Sequence, residues 1–277
     1  MKKSIILFFA LVFWTTPSCS STETPSKQNE EEDQNLIYKD DFDTFRAYVW
    51  NKEVHNPGWV NSELQAYDTD HVNVGKDGDK SVLIITAERK GNRIYSGRVN
   101  SKGNKSFKYG TLEASIRLPK SNAGLWPAFW AMGDNDKEWP KCGEIDIMEM
   151  GEKSGMASGN SEKQVNTAIH FGESVATHKQ EYDLKIFPNS LQDDKYHTYT
   201  MKWSENEITI SVDGVKLHTY DISPSTEKHQ YFSDNFFMIF NLAVGGAFTG
   251  ITDIDKITAL KDGEKANMYV DWIKITK

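Results

Sequence analysis

What most limits the fold of this chain is a series of short segments with the two-residue period of half-buried strands. VLIITAE (82–88), GTLEASIRL (110–118), HTYTMKW (197–203), EITISVDGVKLHTYDI (207–222), FFMIFNLAV (236–244) and MYVDWIKI (268–275) alternate or run apolar. Asp213-Gly214, set between two alternating runs, is a pair suited to the positive φ angles of a tight hairpin. No segment carries a sustained helical stripe. Many short strands across residues 36–277 predict an all-β protein, a sandwich or jelly roll of two packed sheets. Large packed sheets curve, so one face is expected to be concave and to form a groove for a long ligand.

Ahead of the strands stands MKKSIILFFALVFWTTPSCSS, with two lysines, an apolar run from Ile5 to Trp14 and then small residues. That is the pattern of an export signal, too short for a spanning helix, and residues 1–18 are read as a signal peptide. Cys19 sits where a bacterial lipoprotein is acylated, in a stretch that resembles a lipobox although Thr16, Pro17 and Ser18 depart from the usual Leu-Ala-Gly pattern. Cleavage and release without lipid is the alternative. Residues 19–35 lack aromatics and are rich in Ser, Thr, Glu and Gln, so they are expected to tether one domain, residues 36–277, to an outer membrane, at the cell surface or in the periplasm. A net charge of −8 argues against nucleic acid, whose binding rests on neutralising phosphates. With two cysteines and one of them assigned to lipid, Cys142 has no disulfide partner, and no cysteine spacing suits structural zinc.

CGEIDIMEMGE, residues 142–152, is where chemistry enters. Glu144 and Asp146 alternate with Ile145 and Ile147, so the acids share one face of a strand and the isoleucines enter the core. A strict period would place the third acid at 148, but Met148 stands there and Glu149 follows. One inserted residue, a β-bulge assigned here to Met148, would return Glu149 to the acidic face. About four strand steps at ~3.3 Å then separate the Glu144 and Glu149 Cα atoms by ~13 Å, and side chains leaning inward would bring the carboxyls to ~5–6 Å. Two carboxyls at ~5–5.5 Å suit glycoside hydrolysis with retention, and ~6.5–9.5 Å suits inversion. Their mutual repulsion, ~3 kcal/mol at an effective dielectric of ~20, is enough to carry one glutamate from ~4.3 to ~6 and keep it protonated. One Glu would then donate a proton to the leaving oxygen while the other attacks, and Asp146 between them would orient the nucleophile. The pattern alone leaves open which Glu does which.

GLWPAFWAMG (124–133) puts Trp126, Ala128 and Trp130 on one strand face, with Trp139 just before the acids. Indole faces so placed suit stacking on sugar rings.

WPKCGEIDIMEMGE resembles the E-x-D-x-x-E signature of glycoside hydrolase family 16, in its bulge-containing, laminarinase-like branch. NSELQAY (61–67), YSGRVNS (95–101), FKYGTLEASIRLP (107–119), NTAIHFG (166–172) and FFMIFNLAVGG (236–246) extend the resemblance over nearly the whole domain. It implies a concanavalin-like jelly roll, Glu144 as nucleophile, Asp146 as its helper, Glu149 as acid/base, and His170 as a supporting residue close to the acid/base. It further implies glucan contacts from Asn61, Glu63, Arg98, Trp126, Trp130 and Asn241, with Trp139 beside them. No cofactor is implied for catalysis. A structural Ca²⁺ on the convex side is implied, held by oxygen ligands from Asp271, the Gly78 carbonyl and a carbonyl near Phe42. Phe248 and Phe171 stand where relatives often carry Trp or Tyr, and are expected to alter stacking in the groove. The activity implied is a monomeric, secreted endo-β-glucanase cutting β-1,3- or mixed β-1,3/1,4-glucan with retention. An agarase, carrageenase or transglycosylase of the same family, or a lectin-like glycan-binding protein, are the alternatives; the last requires a lost acid, and all three are present.

Overall fold

The alternating segments fold into two sheets packed face to face. The computed structural model describes Met1 and residues 35–277, and Asn35–Lys277 cluster as a compact unit. The export segment, Cys19 and most of the tether lie outside the described residues. The ten-stranded sheet runs in the order Val215–Asp221, Glu207–Val212, His197–Trp203, Gly110–Arg117, Lys265–Thr276, Lys80–Lys90, Arg93–Ser96 and Gln65–Tyr67. Leu36–Asp40 pairs with Lys265–Thr276, and Val72–Asp77 with Lys80–Lys90. The eight-stranded sheet runs Lys179–Ile186, Gln164–Phe171, Glu144–Glu149, Leu125–Gly133, Phe236–Val244, Arg98–Asn100 and Asn51–Lys52, with Ser106–Phe107 added to Phe236–Val244. All pairings are antiparallel except Gln65–Tyr67 on Arg93–Ser96. The expected all-β jelly-roll sandwich is the fold observed.

The period-two rule decides which side chains build the core. Phe236, Met238, Phe240, Leu242 and Val244 are buried in it, whereas Phe237 and Asn241, on the other face of the same strand, line a groove. Phe129 stacks on Phe240 with ring centres 4.7 Å apart and planes at 11°. The ten-stranded sheet supplies Leu112, Ala114, Ile116, Tyr199, Met201, Ile273 and Ile275 to the same core. Each such aliphatic or aromatic side chain contributes roughly 1.5–3 kcal/mol on burial, so the groove floor rests on a close-packed layer. The hairpin closes where expected: Val212 pairs with Val215, and Asp213 and Gly214 have φ of 49° and 74°.

Candidate active site

Glu144–Glu149 is an interior strand of the eight-stranded sheet, and its register locates the bulge. On one side Trp130 faces Asp146 and Phe129 faces Met148, leaving Ile147 without a partner. On the other side Asp146 faces Ala168 and Glu149 faces Asn166, so Ile147 and Met148 together oppose Thr167. This corrects the sequence expectation: the residue inserted against the tryptophan strand is Ile147, not Met148. Both are fully buried in the core, and Glu149 returns to the groove face. Thr167 Oγ1 donates to the Asp146 carbonyl at 2.6 Å and pins the bulge. Gly143 opens the strand at φ 83°, where a Cβ would come within 2.3 Å of the Tyr231 carbonyl oxygen, so only glycine fits there.

The two glutamates are held by different tryptophans. Trp139 Nε1 donates to Glu144 Oε2 at 3.0 Å, and Trp126 Nε1 donates to Glu149 Oε1 at 3.0 Å. Burial is the largest influence on Glu144 and pushes it up, Asp146 adds to that, and His170, Arg98 and the Trp139 N–H pull it back, leaving it at about 8. Burial, Asp146 and Glu144 push Glu149 well above the ordinary range, against His170 and the Trp126 N–H. Burial likewise raises Asp146. The sequence estimate counted only the repulsion between two acids; loss of water around all three is the larger effect, which is why the elevation exceeds that estimate.

His170 sits among the acids and acts electrostatically on Glu149 as well as on Glu144. It pairs across the sheet with Glu144, and its Nε2 is 3.1 Å from Asp146 Oδ2 and 3.8 Å from Glu144 Oε1. The 3.1 Å contact is out of line for a hydrogen bond, so the buried Asp146 Oδ2 is left without one and the contact is electrostatic only. His170 Nδ1 meets His178 Nε2 at 2.9 Å, and the two rings stack at 5.1 Å.

The other expected groove residues converge from the strands on the far side of Trp126 and Trp130. Arg98 has its guanidinium 4.7 Å from the Trp130 ring centre, 5.2 Å from that of Trp59, and its Nε 2.8 Å from Glu53. Trp130 Nε1 donates to Asn241 Oδ1 at 2.8 Å, Asn241 Nδ2 donates to Tyr67 Oη at 3.2 Å, and Tyr67 Oη donates to Glu63 at 3.0 Å. Asn61 also donates to Glu63, from a turn in which Asn61 and Ser62 have φ of 52° and 56°. Non-glycine residues held at positive φ beside a groove are strained positions of the kind that binding sites retain.

Of the two phenylalanines expected to alter stacking in the groove, one is there and the other is not. Phe248 does face the groove, stacking on Trp126 at 4.7 Å and 16°. Phe171 does not: it is buried in the core against Tyr231 and Phe232. Sequence reasoning missed Glu53, His55, Trp59, His178 and Tyr182, all of which line the groove. His55 and Trp59 stack at 3.4 Å; the tryptophan in NPGWVN was the available signal. Of the residues implied for calcium, Gly78 is in a left-handed turn at φ 59° and Phe42 is fully buried at φ 50°. Asp271 Oδ2 lies 2.6 Å from Nζ of the half-exposed Lys80, so the one carboxylate of that set, whose oxygen donors are of the type calcium takes, is charge-paired to a lysine.

The groove encloses about 1680 Å³, above the ~300–1,000 Å³ of a pocket for one small molecule, and suits several units of a polymer.

A family model, Glycosyl hydrolases family 16, matches residues 61–274. The solved structure of a Bacteroides ovatus mixed-linkage glucan family 16 enzyme in complex with a G4G4G3G product is 70% identical, covers 87% of this chain and 100% of its own, and superposes with a TM-score of 0.84. A glucan endo-1,3-beta-glucosidase of Cryptopygus antarcticus is 32% identical over 263 residues, 86% of this chain and 90% of that protein. The clotting factor G alpha subunit of Tachypleus tridentatus is 30% identical over 247 residues, 87% of this chain; the chain spans 33% of that relative's length.

Proposed function

The chain belongs to glycosyl hydrolases family 16 and is a glycoside hydrolase, and we propose that it is an endo-β-glucanase that cuts mixed-linkage β-1,3/1,4-glucan with retention. The observation that carries the substrate reading is the 70% identity to the Bacteroides ovatus enzyme, complete over that chain. Laminarin is the second substrate to examine, because of the Cryptopygus antarcticus relative.

The electrostatic asymmetry supports the roles. Glu149, raised well above the ordinary range, keeps its proton and delivers it to the glycosidic oxygen. Glu144, also raised by burial but facing the Arg98 guanidinium in addition to His170 and a tryptophan N–H, is assigned as the group that, once ionised, attacks the anomeric carbon. Its Oε2 is held by Trp139, so Oε1 is the atom left to attack. Having given up its proton, Glu149 is a carboxylate in the glycosyl ester; ester formation also removes the charge of Glu144, one source of the upward push on Glu149, so Glu149 stays ionised until it takes a proton from the attacking water. Asp146 and His170 hold the nucleophile end, and Arg98, Trp130, Asn241 and Glu63 would hold the sugar chain.

Export, lipidation at Cys19, outer-membrane attachment and action as a monomer belong to the same proposal; among the described residues no helix is long and apolar enough to cross a membrane. A structural calcium would require Asp271 to exchange Lys80 for the cation. The test of substrate class is a side-by-side analysis of product sizes from barley β-glucan, lichenan, laminarin and agarose. Short oligosaccharides released fastest from the mixed-linkage glucans are expected; release from agarose alone would refute the reading.

A further inference from the structure

Of the residues that the family resemblance assigns to sugar contact, all but Trp139, which packs against His178, lie on the Arg98 side of the acidic strand; the opposite half has a platform of its own. Lys179–Ile186 is the edge strand there. Its register sets Gln180 against His170, Tyr182 against Ala168 and Leu184 against Asn166, and those residues in turn face Glu144, Asp146 and Glu149. Gln180, Tyr182 and Leu184 are therefore on the groove face, two strands from the acids. At ~4.8 Å per strand the distance is ~10 Å, roughly the span of two pyranose rings.

Tyr182 is 67% exposed and Leu184 38%, and both line the groove, in which Trp59 is also exposed at 46%. Each of those other rings has one face taken: Trp126 stacks on Phe248, Trp130 faces the Arg98 guanidinium, and Trp59 stacks on His55. Among the described residues, by contrast, no ring stacks on Tyr182. Between it and Asp146 stands only Ala168, whose methyl group leaves the floor low. Gln180 adds an amide for sugar hydroxyls at one end of the row. An exposed aromatic face with an aliphatic neighbour and a polar rim is the surface that takes the apolar face of a sugar ring.

We propose that Tyr182, with Leu184 beside it, is a sugar-stacking platform for the part of the β-glucan chain that lies about two rings beyond the acids on the side away from Arg98. This rests on the glucanase reading. Continuity with the catalytic groove is what selects glucan as the occupant over a protein partner, because the platform and the acids share one floor.

The test compares wild type, Tyr182→Ala and Tyr182→Phe on barley β-glucan and on a chromogenic aryl glycoside of a short glucan, with melting temperatures recorded for all three. Tyr182→Ala is expected to lower kcat/KM on the polymer about five- to tenfold, mainly through KM, and to change the size distribution of the first products. Its kcat/KM on the short glycoside should stay within about twofold, and Tyr182→Phe, which keeps the ring, should stay near wild type on both. Unchanged polymer kinetics and products in Tyr182→Ala would overturn the platform. So would an equal loss on both substrates, which would mark a structural role. A wild-type protein that cuts neither glucan would instead overturn the reading on which the platform rests, so the two failures are distinguishable.

Discussion

The two faces of the strand Glu144–Glu149 differ in what they do for the molecule. One face carries Ile145, Ile147 and Met148, all fully buried, and its work is cohesion between the sheets. The other carries Glu144, Asp146 and Glu149, three acids raised by burial, which weaken the fold near neutral pH in order to be reactive. The bulge joins the two: by placing two consecutive apolar residues against Thr167, it lets one strand satisfy the core and still present three acids to the groove. Substitutions on the two faces should therefore separate activity from stability.

The largest separation is expected from Glu144→Gln, which should lower kcat on β-glucan on the order of 10⁴-fold while leaving the melting temperature unchanged or higher; reducing-end release and a thermal melt measure the two. Deletion of Ile147 comes next. Without the insertion, the residues beyond it slip by one and Glu149 turns toward the core, so activity should fall by about 10³-fold or more. Full activity in the shortened protein would mean that the bulge has no part in catalysis.

Asp146→Asn should have a smaller effect with a distinct pH signature. Asp146 pushes Glu144 upward, and Glu144 must be ionised to attack, so the acid limb of kcat/KM in the wild type should lie well above pH 4.5 and move to lower pH in the variant. The same substitution bears on stability. A carboxyl raised in the folded state binds protons more tightly there than in the unfolded chain, so Asp146 costs stability as pH rises from its unfolded value near 3.8 toward about 8. Asp146→Asn should accordingly raise the melting temperature more at pH 8 than at pH 5, by about 2–4 °C per kcal/mol relieved. The smallest effect on activity belongs to the other face. Ile145→Val should cost ~0.5–1.5 kcal/mol in denaturant unfolding and leave kcat within about twofold.

How much of this could be read in advance follows the same division. Strand periodicity located the sandwich, the acids and the facing of Trp126 and Trp130, because alternation is written locally. Whether Ile147 or Met148 is the inserted residue was not legible, since both are apolar and either fits a core. What lay out of reach depends on contacts distant in sequence. Phe248 covers Trp126 from a remote turn, and Lys80 reaches Asp271 from 191 residues away. His178 reaches His170 around a loop, and Tyr182 acquires meaning only from the strand beside it. Family resemblance placed His170 in the site, but only the folded register sets it across from Glu144.

The central claim is that Glu144 is the nucleophile and Glu149 the proton donor. Its most direct test is peptide mass mapping of the protein after reaction with a 2-fluoro aryl glycoside of a short mixed-linkage glucan, in which the fluorine slows breakdown of the glycosyl ester. The account predicts one sugar adduct, on the peptide containing residues 142–152 and, by fragmentation, on Glu144. An adduct on Glu149 or Asp146, or release of the aryl group with inversion and no adduct at all, would contradict it.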